Sequence, residues 1–141
     1  KLFPNRKVIP KKLLAIKDQS LRDCGMSWAK VKYVKDLAQK ATDGTLRLNK
    51  LDTMSDEEVV KHLVQVKGIG PWTAEMILMF SLNRPDVFPL DDLGIQNAFV
   101  KLYGLKRSDK NLKRKMIKIG ESWRPHRTLA CRYLWKSLDN E

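Results

Sequence analysis

The sequence predicts an all-α fold, a multi-helix, bundle-like domain, and three observations carry that expectation. Helix start and stop signals recur along the 141 residues, whereas strand-like alternation is almost absent. Apolar residues return at helical spacing in stretch after stretch. A turn bracketed by two glycines, "VKGIGPW" at residues 66–72, joins two of those stretches into a helix-hairpin-helix. At this length one domain has room for a real core, and no internal repeat, low-complexity tract or linker marks a boundary, so residues 1–141 read as a single domain with its hairpin at about 55–83.

The elements follow in order. The first 26 residues fit one or two short helices around "PKKLLAIKDQSLRDCG". Ser27 is the N-cap of a stretch in which Trp28, Val31, Val34, Leu37, Ala38 and Ala41 share a face, Lys30, Lys32, Lys35 and Lys40 fill much of the rest, and Gly44 is the stop. In "SDEEVVKHLVQV", Ser55 and Glu58 form a capping box ahead of Val59, Val60, Leu63 and Val64, in a helix expected to run to Gly68. Pro71 suits the first position of the next helix, where a missing N–H is no loss. From Trp72 to Leu82 that helix is apolar nearly all round, which predicts a path through the core. "NRPDVFPLDD" is an irregular loop with two prolines. Asp91 and Asp92 open a helix whose buried face is Leu93, Ile95, Ala98, Phe99 and Leu102, with Gly104 as its exit. "SDKNLKRKMIKIGESW" reads as a basic helix capped near Ser108, and "PHRTLACRYLWKSL" as a last helix started by Pro125.

Hydrophobic residues at 43% and charged residues at 31% fit a soluble globular protein, and no apolar run approaches the roughly 20 residues that span a bilayer. Lys and Arg number 28 against 16 Asp and Glu, a formal charge of +12. That imbalance favours a polyanionic partner, nucleic acid before an anionic membrane surface, because neutralising phosphates releases their counterions. Cys24 and Cys131 are far apart, with no CxxC pair, which argues against a disulfide scaffold or a structural zinc site and for a reducing compartment. His62 and His126 are isolated, so neither a metal-ligand cluster nor a Cys–His nucleophile can be assembled. No signal or transit peptide is recognisable. Residue 1 is Lys rather than Met, in keeping with a piece of a longer chain.

The glycine hairpin has a chemical use. Pro71 has no N–H, but the amides of Gly70, Trp72 and Thr73 stand at a helix N-terminus, where unpaired donors and the helix dipole attract an anion. With no side chain at Gly68 and Gly70, a phosphate oxygen can approach the backbone. Such a contact holds a strand in register without reading its bases. The plainer use of the two glycines is a tight turn between packed helices.

"VKGIGPWTAEMIL" has an apolar residue before Gly-apolar-Gly and Thr-Ala after it, and "DVFPLDDLGIQNAF" and "WRPHRTLACRYLW" follow in order. On these motifs the chain resembles, from about Pro10 to Leu138, the helix-hairpin-helix superfamily of DNA glycosylases, the HhH-GPD type, and within it the alkylbase class of 3-methyladenine DNA glycosylase II. The resemblance implies an enzyme of base excision repair that flips a damaged nucleotide out of double-stranded DNA and hydrolyses its N-glycosidic bond. Its substrates would be alkylated purines such as 3-methyladenine and 7-methylguanine. The family's essential aspartate falls on Asp92, where a fixed carboxylate would stabilise the positive charge left on deoxyribose while water adds. Bifunctional members carry a lysine at position 72. Trp72 there implies a monofunctional hydrolase without lyase activity.

Trp72 and Trp135 match aromatic positions of the base pocket, with Tyr133 and His126 as further candidates; an electron-rich ring face attracts a base made cationic by alkylation. DNA contacts map to Gly68, Gly70, Trp72 and Thr73. A monovalent cation, Na+ or K+, would sit on the backbone carbonyls of Val64, Val66 and Ile69. Two cysteines cannot supply the four-cysteine iron–sulfur cluster of some relatives, so no redox cofactor is expected. Family members have further N-terminal helices, including the one that supplies the duplex wedge, ahead of the stretch seen here. The chain then reads as a fold lacking those helices, part of a larger protein that is monomeric when intact, with an apolar patch around residues 72–82 and 125–138 that is covered there. The resemblance places the protein at the nucleoid of a bacterium or in a eukaryotic nucleus. A non-catalytic helix-hairpin-helix DNA-binding module shares the hairpin and the charge but has no use for an acid at position 92, and a glycosylase for uracil or hypoxanthine differs only in the base released.

Overall fold

The computed structural model describes Phe3 and residues 7–139, and every regular element among them is helical. The backbone divides into two compact units, Lys1–Pro71 and Trp72–Glu141.

In the first unit, helices α1 (Pro10–Ala15) and α2 (Asp18–Asp23) pack on α3 (Trp28–Asp43), and a 3-10 segment (Leu48–Thr53) leads to α4 (Asp56–Leu63). The described residues before Ser27 thus contain two short helices. The Ser27 hydroxyl accepts the Lys30 N–H at 3.2 Å to start α3, and Gly44 ends it in the left-handed region at φ 83°. Lys35 donates its ammonium to the Leu14 carbonyl at 2.8 Å, satisfying an orphan acceptor at the end of α1. The capping box of α4 forms in both directions, Glu58 N–H to Ser55 Oγ at 3.2 Å and Ser55 N–H to Glu58 Oε2 at 2.7 Å. Isolated in the sequence, His62 accepts the Arg47 N–H through Nε2 at 2.8 Å and so belongs to the frame of this unit.

Helix α4 stops at Leu63, five residues short of Gly68. Tighter turns replace it, closed by the Val66 N–H to Leu63 and the Ile69 N–H to Val66, both at 3.0 Å. They bury Val66 and leave Gly68 at φ 83°, where glycine carries no Cβ penalty.

The second unit consists of α5 (Pro71–Phe80), α6 (Leu93–Tyr103), α7 (Leu112–Gly120), a 3-10 turn (Glu121–Trp123) and α8 (Arg127–Lys136). Its core is Leu78, Met79, Ile95, Phe99, Met116, Cys131 and Leu134, with α6 against α8. Helix α5 corrects the expectation of a fully interior rod: Ala74, Leu78 and Met79 are buried, but Trp72 is 48% and Phe80 52% exposed. Leu129 and Tyr133 of α8 are exposed as well.

Two helix starts move inward. Asp109 accepts the Asn111 N–H at 2.8 Å in a turn, so α7 begins at Leu112 rather than near Ser108. Helix α8 begins at Arg127 rather than Pro125. There Asp86, from the loop between α5 and α6, takes the Arg127 guanidinium on both oxygens, at 2.6 Å and 2.9 Å, and Arg124 at 2.7 Å. The buried Thr128 hydroxyl donates to the Arg84 carbonyl at 2.7 Å and accepts the Val87 N–H at 2.9 Å. The proline-containing loop that leads to Asp92 is therefore fastened to α8. No helix among the described residues is long and apolar enough to cross a membrane.

Candidate active site

The paired acids of the sequence separate in the fold. Asp91 is exposed and pairs with Lys113, whereas Asp92 is only 8% exposed. Asp92 caps α6, its Oδ1 accepting the Ile95 N–H at 2.7 Å. The same oxygen accepts the indole N–H of Trp135 from α8 at 2.8 Å, and Oδ2 accepts the indole N–H of Trp72 from α5 at 2.8 Å. A carboxylate offers about four acceptor positions. Three are filled here by N–H donors from three helices, which fixes the orientation of the group, and the positive end of α6 faces the same charge.

Thus three residues singled out by sequence, Trp72, Asp92 and Trp135, meet in one cluster. Both tryptophans turn their ring N–H groups to the acid. Trp135 also packs on Phe80, with ring centroids 5.9 Å apart, while Trp72 keeps about half its surface open. Tyr133 stands 66% exposed two residues before Trp135 and takes no part in the cluster, and His126 is exposed at the N-cap of α8.

Glu75 escaped the sequence reading. It lies one turn beyond Trp72 on α5, and burial, then the charges of Asp91 and Asp92, push its carboxyl up to about 7 against a smaller opposing effect of Lys113. The available signal was position: Glu75 is the single acid of an otherwise apolar helix, on the Trp72 side by its three-residue spacing. Cys131 is buried beneath the same region. Burial first, then Asp92 and Glu75, with Arg127 opposing, push its thiol up to about 12, which suits a packing residue and not a nucleophile.

At the hairpin the two glycines part company. A Cβ on Gly68 would lie 2.3 Å from Cδ2 of Tyr33, so the missing side chain there accommodates a ring of α3. A Cβ on Gly70 meets nothing within 4 Å. The turn is held on α3 by the Lys67 N–H to Asp36 Oδ2 at 2.8 Å; Lys40 and then that amide hold the Asp36 carboxyl below its usual range. Thr73 is half-buried on α5. The carbonyls of Val64, Val66 and Ile69 fall within this one turn, and that of Val66 already accepts the Ile69 N–H.

Residues 1–125 match the HhH-GPD superfamily of base excision DNA repair proteins. The chain belongs to that family. Among HhH-GPD relatives, DNA-3-methyladenine glycosylase 1 of Schizosaccharomyces pombe is 38% identical over 129 residues, which are 91% of this chain and 56% of that protein. The structure of Schizosaccharomyces pombe 3-methyladenine DNA glycosylase (Mag1) in complex with abasic DNA superposes with a TM-score of 0.82 at 36% identity, covering 96% of this chain and 66% of that one. A DNA-3-methyladenine glycosidase structure from Bacillus halodurans gives a TM-score of 0.79 at 38% identity, covering 91% and 58% of the two chains. This HhH-GPD chain spans about half the length of the curated relatives it matches.

Proposed function

We propose that the whole protein is a monofunctional DNA glycosylase of the 3-methyladenine DNA glycosylase II type, releasing alkylated purines from double-stranded DNA in base excision repair. The observation that carries this reading is the Asp92 carboxylate, capping α6 and held by the indole N–H groups of Trp72 and Trp135 at 2.8 Å each. Excision of a flipped base leaves an oxocarbenium-like sugar. A buried charge whose donors are already in place stabilises that cation without reorganising during the reaction, and water completes the hydrolysis. Names of relatives supply the substrate class: the Schizosaccharomyces pombe proteins are 3-methyladenine glycosylases, one of them bound to abasic DNA.

The half-open ring of Trp72 offers a face to a base made cationic by alkylation, worth ~1–2 kcal/mol when desolvated. Strand cleavage would need a free amine at the sugar; position 72 offers an indole whose N–H is given to Asp92, so the product is an intact abasic strand. Gly70 and the first amides of α5, those of Trp72 and Thr73, would receive a phosphate. The carbonyls of Val64, Val66 and Ile69 are hard neutral oxygens of the kind that suit Na+ or K+, and a cation there would add to the pull on that phosphate. The place of action is with DNA, in a bacterial nucleoid or a eukaryotic nucleus.

The test uses full-length protein and methylated duplex DNA. Asp92→Asn, which keeps the shape of the side chain and removes its charge, is expected to lose release of 3-methyladenine and 7-methylguanine by at least about a hundredfold while still binding abasic DNA. Release at the parent rate would defeat the assignment of Asp92. No release by the parent protein itself would leave a DNA-binding module, and uracil or hypoxanthine as the freed base would redirect the substrate class.

A further inference from the structure

Gly94 is the second residue of α6, a position that asks nothing of glycine. Its φ lies outside the left-handed region, it is neither a turn nor a helix exit, and a helical glycine costs about 1 kcal/mol relative to alanine. The reason for it is found in space. A Cβ built on Gly94 would lie 2.8 Å from Cδ1 and 3.0 Å from Nε1 of Trp135, and 3.1 Å from Oδ1 of Asp92. Carbon atoms in contact settle at about 3.5–4.0 Å, so one methyl group would have to displace the edge of the indole. The ring has little room to slide, since it packs on Phe80 and is rooted in α8 beside the buried Leu134 and Cys131.

We infer that Gly94 is a positioning residue for the candidate acid: the missing side chain admits the indole of Trp135 to the first turn of α6, where its N–H reaches Oδ1 of Asp92. With a methyl group at 94, Oδ1 keeps the Ile95 amide alone, and the carboxylate is free to turn about its remaining donors. Any effect on excision rests on the catalytic reading of Asp92 given above; the placement of Trp135 does not.

The experiment separates the two. Full-length parent, Gly94→Ala, Trp135→Phe and the double variant are compared by the indole N–H resonances of the tryptophans, assigned by Trp→Phe substitution, and by single-turnover release of 3-methyladenine. Gly94→Ala is expected to shift the Trp135 resonance, and by more than that of Trp72, and to slow release about tenfold or more at unchanged affinity for abasic DNA. In the Trp135→Phe background the smaller ring leaves room for the methyl group, so Gly94→Ala adds no further loss. That background also keeps the test decisive if the single variant folds poorly. An unmoved Trp135 resonance in Gly94→Ala, or losses that add in the double variant, overturns the inference. A shifted resonance with release at the parent rate upholds the placement of Trp135 by Gly94 and overturns its part in positioning the acid, while loss of release in Asp92→Asn, measured alongside, tests the catalytic reading of Asp92 separately.

Discussion

Among single residues, Glu75 is the acid whose proton answers most to its surroundings, Asp92 included. The carboxyl of Glu75 is raised from 4.5 to about 7, first by burial and then by Asp91 and Asp92, so in the folded protein its neutral form is favoured. Below about pH 4.5 folded and unfolded chains both hold this proton. As pH rises from there to about 7 the unfolded chain has released it while the folded chain has not, so the contribution to stability falls and is gone above about pH 7. Glu75→Gln removes the titration. Between about pH 4.5 and about pH 8, urea midpoints of the variant should gain on those of the parent by roughly 1–2 kcal/mol, less than the full shift because Glu75 keeps some contact with water. A difference that stays flat with pH would refute the account. At this scale Asp92, Trp72 and Trp135 could be named through the family resemblance. What the two indoles do could not, because a bond from residue 135 to residue 92 depends on rotamers and on the packing of α8. Glu75 was passed over because composition marked its helix as interior.

The elements were legible where a local signal sets them. Ser27, the Ser55–Glu58 box, Gly44 and Gly104 start or stop helices through bonds and dihedrals that involve a few neighbours. The starts of α7 and α8 and the early end of α4 were not legible, since Asp109, Asp86 and the inward turn of Val66 decide them. The hairpin gives a prediction of its own, because its two glycines answer to different neighbours. Gly68→Ala meets both a positive φ and the Tyr33 ring and should destabilise the protein by about 1–2 kcal/mol in thermal melts. Gly70→Val faces open space and should keep the melting temperature while weakening DNA binding about tenfold, equally for unrelated sequences. Equal stability losses at the two positions, or a sequence-selective loss of binding, would contradict this division.

For the molecule as a whole, helical composition, excess positive charge and the hairpin were readable from residue order. Its division into two compact units was not, because no change of composition marks the junction at residues 71 and 72. Among the contributors to the +12 formal charge, Lys110, Arg114 and Lys118 of the α7 region show no ion pair among the described residues, so these three charges stay available to an anionic partner. For the proposed DNA partner, affinity should drop by about a thousandfold between ~50 and ~200 mM salt, read by fluorescence anisotropy. A flat response would argue against a phosphate-dominated interface. The loop joining α5 to α6 bears on the candidate site as well. Because Asp86 is gripped by Arg127, and Thr128 bridges Arg84 and Val87, the strap that ends in Asp92 and the helix that bears Trp135 are riveted together. The candidate acid has no private hinge: whatever frays α8 would pull an indole donor away from it.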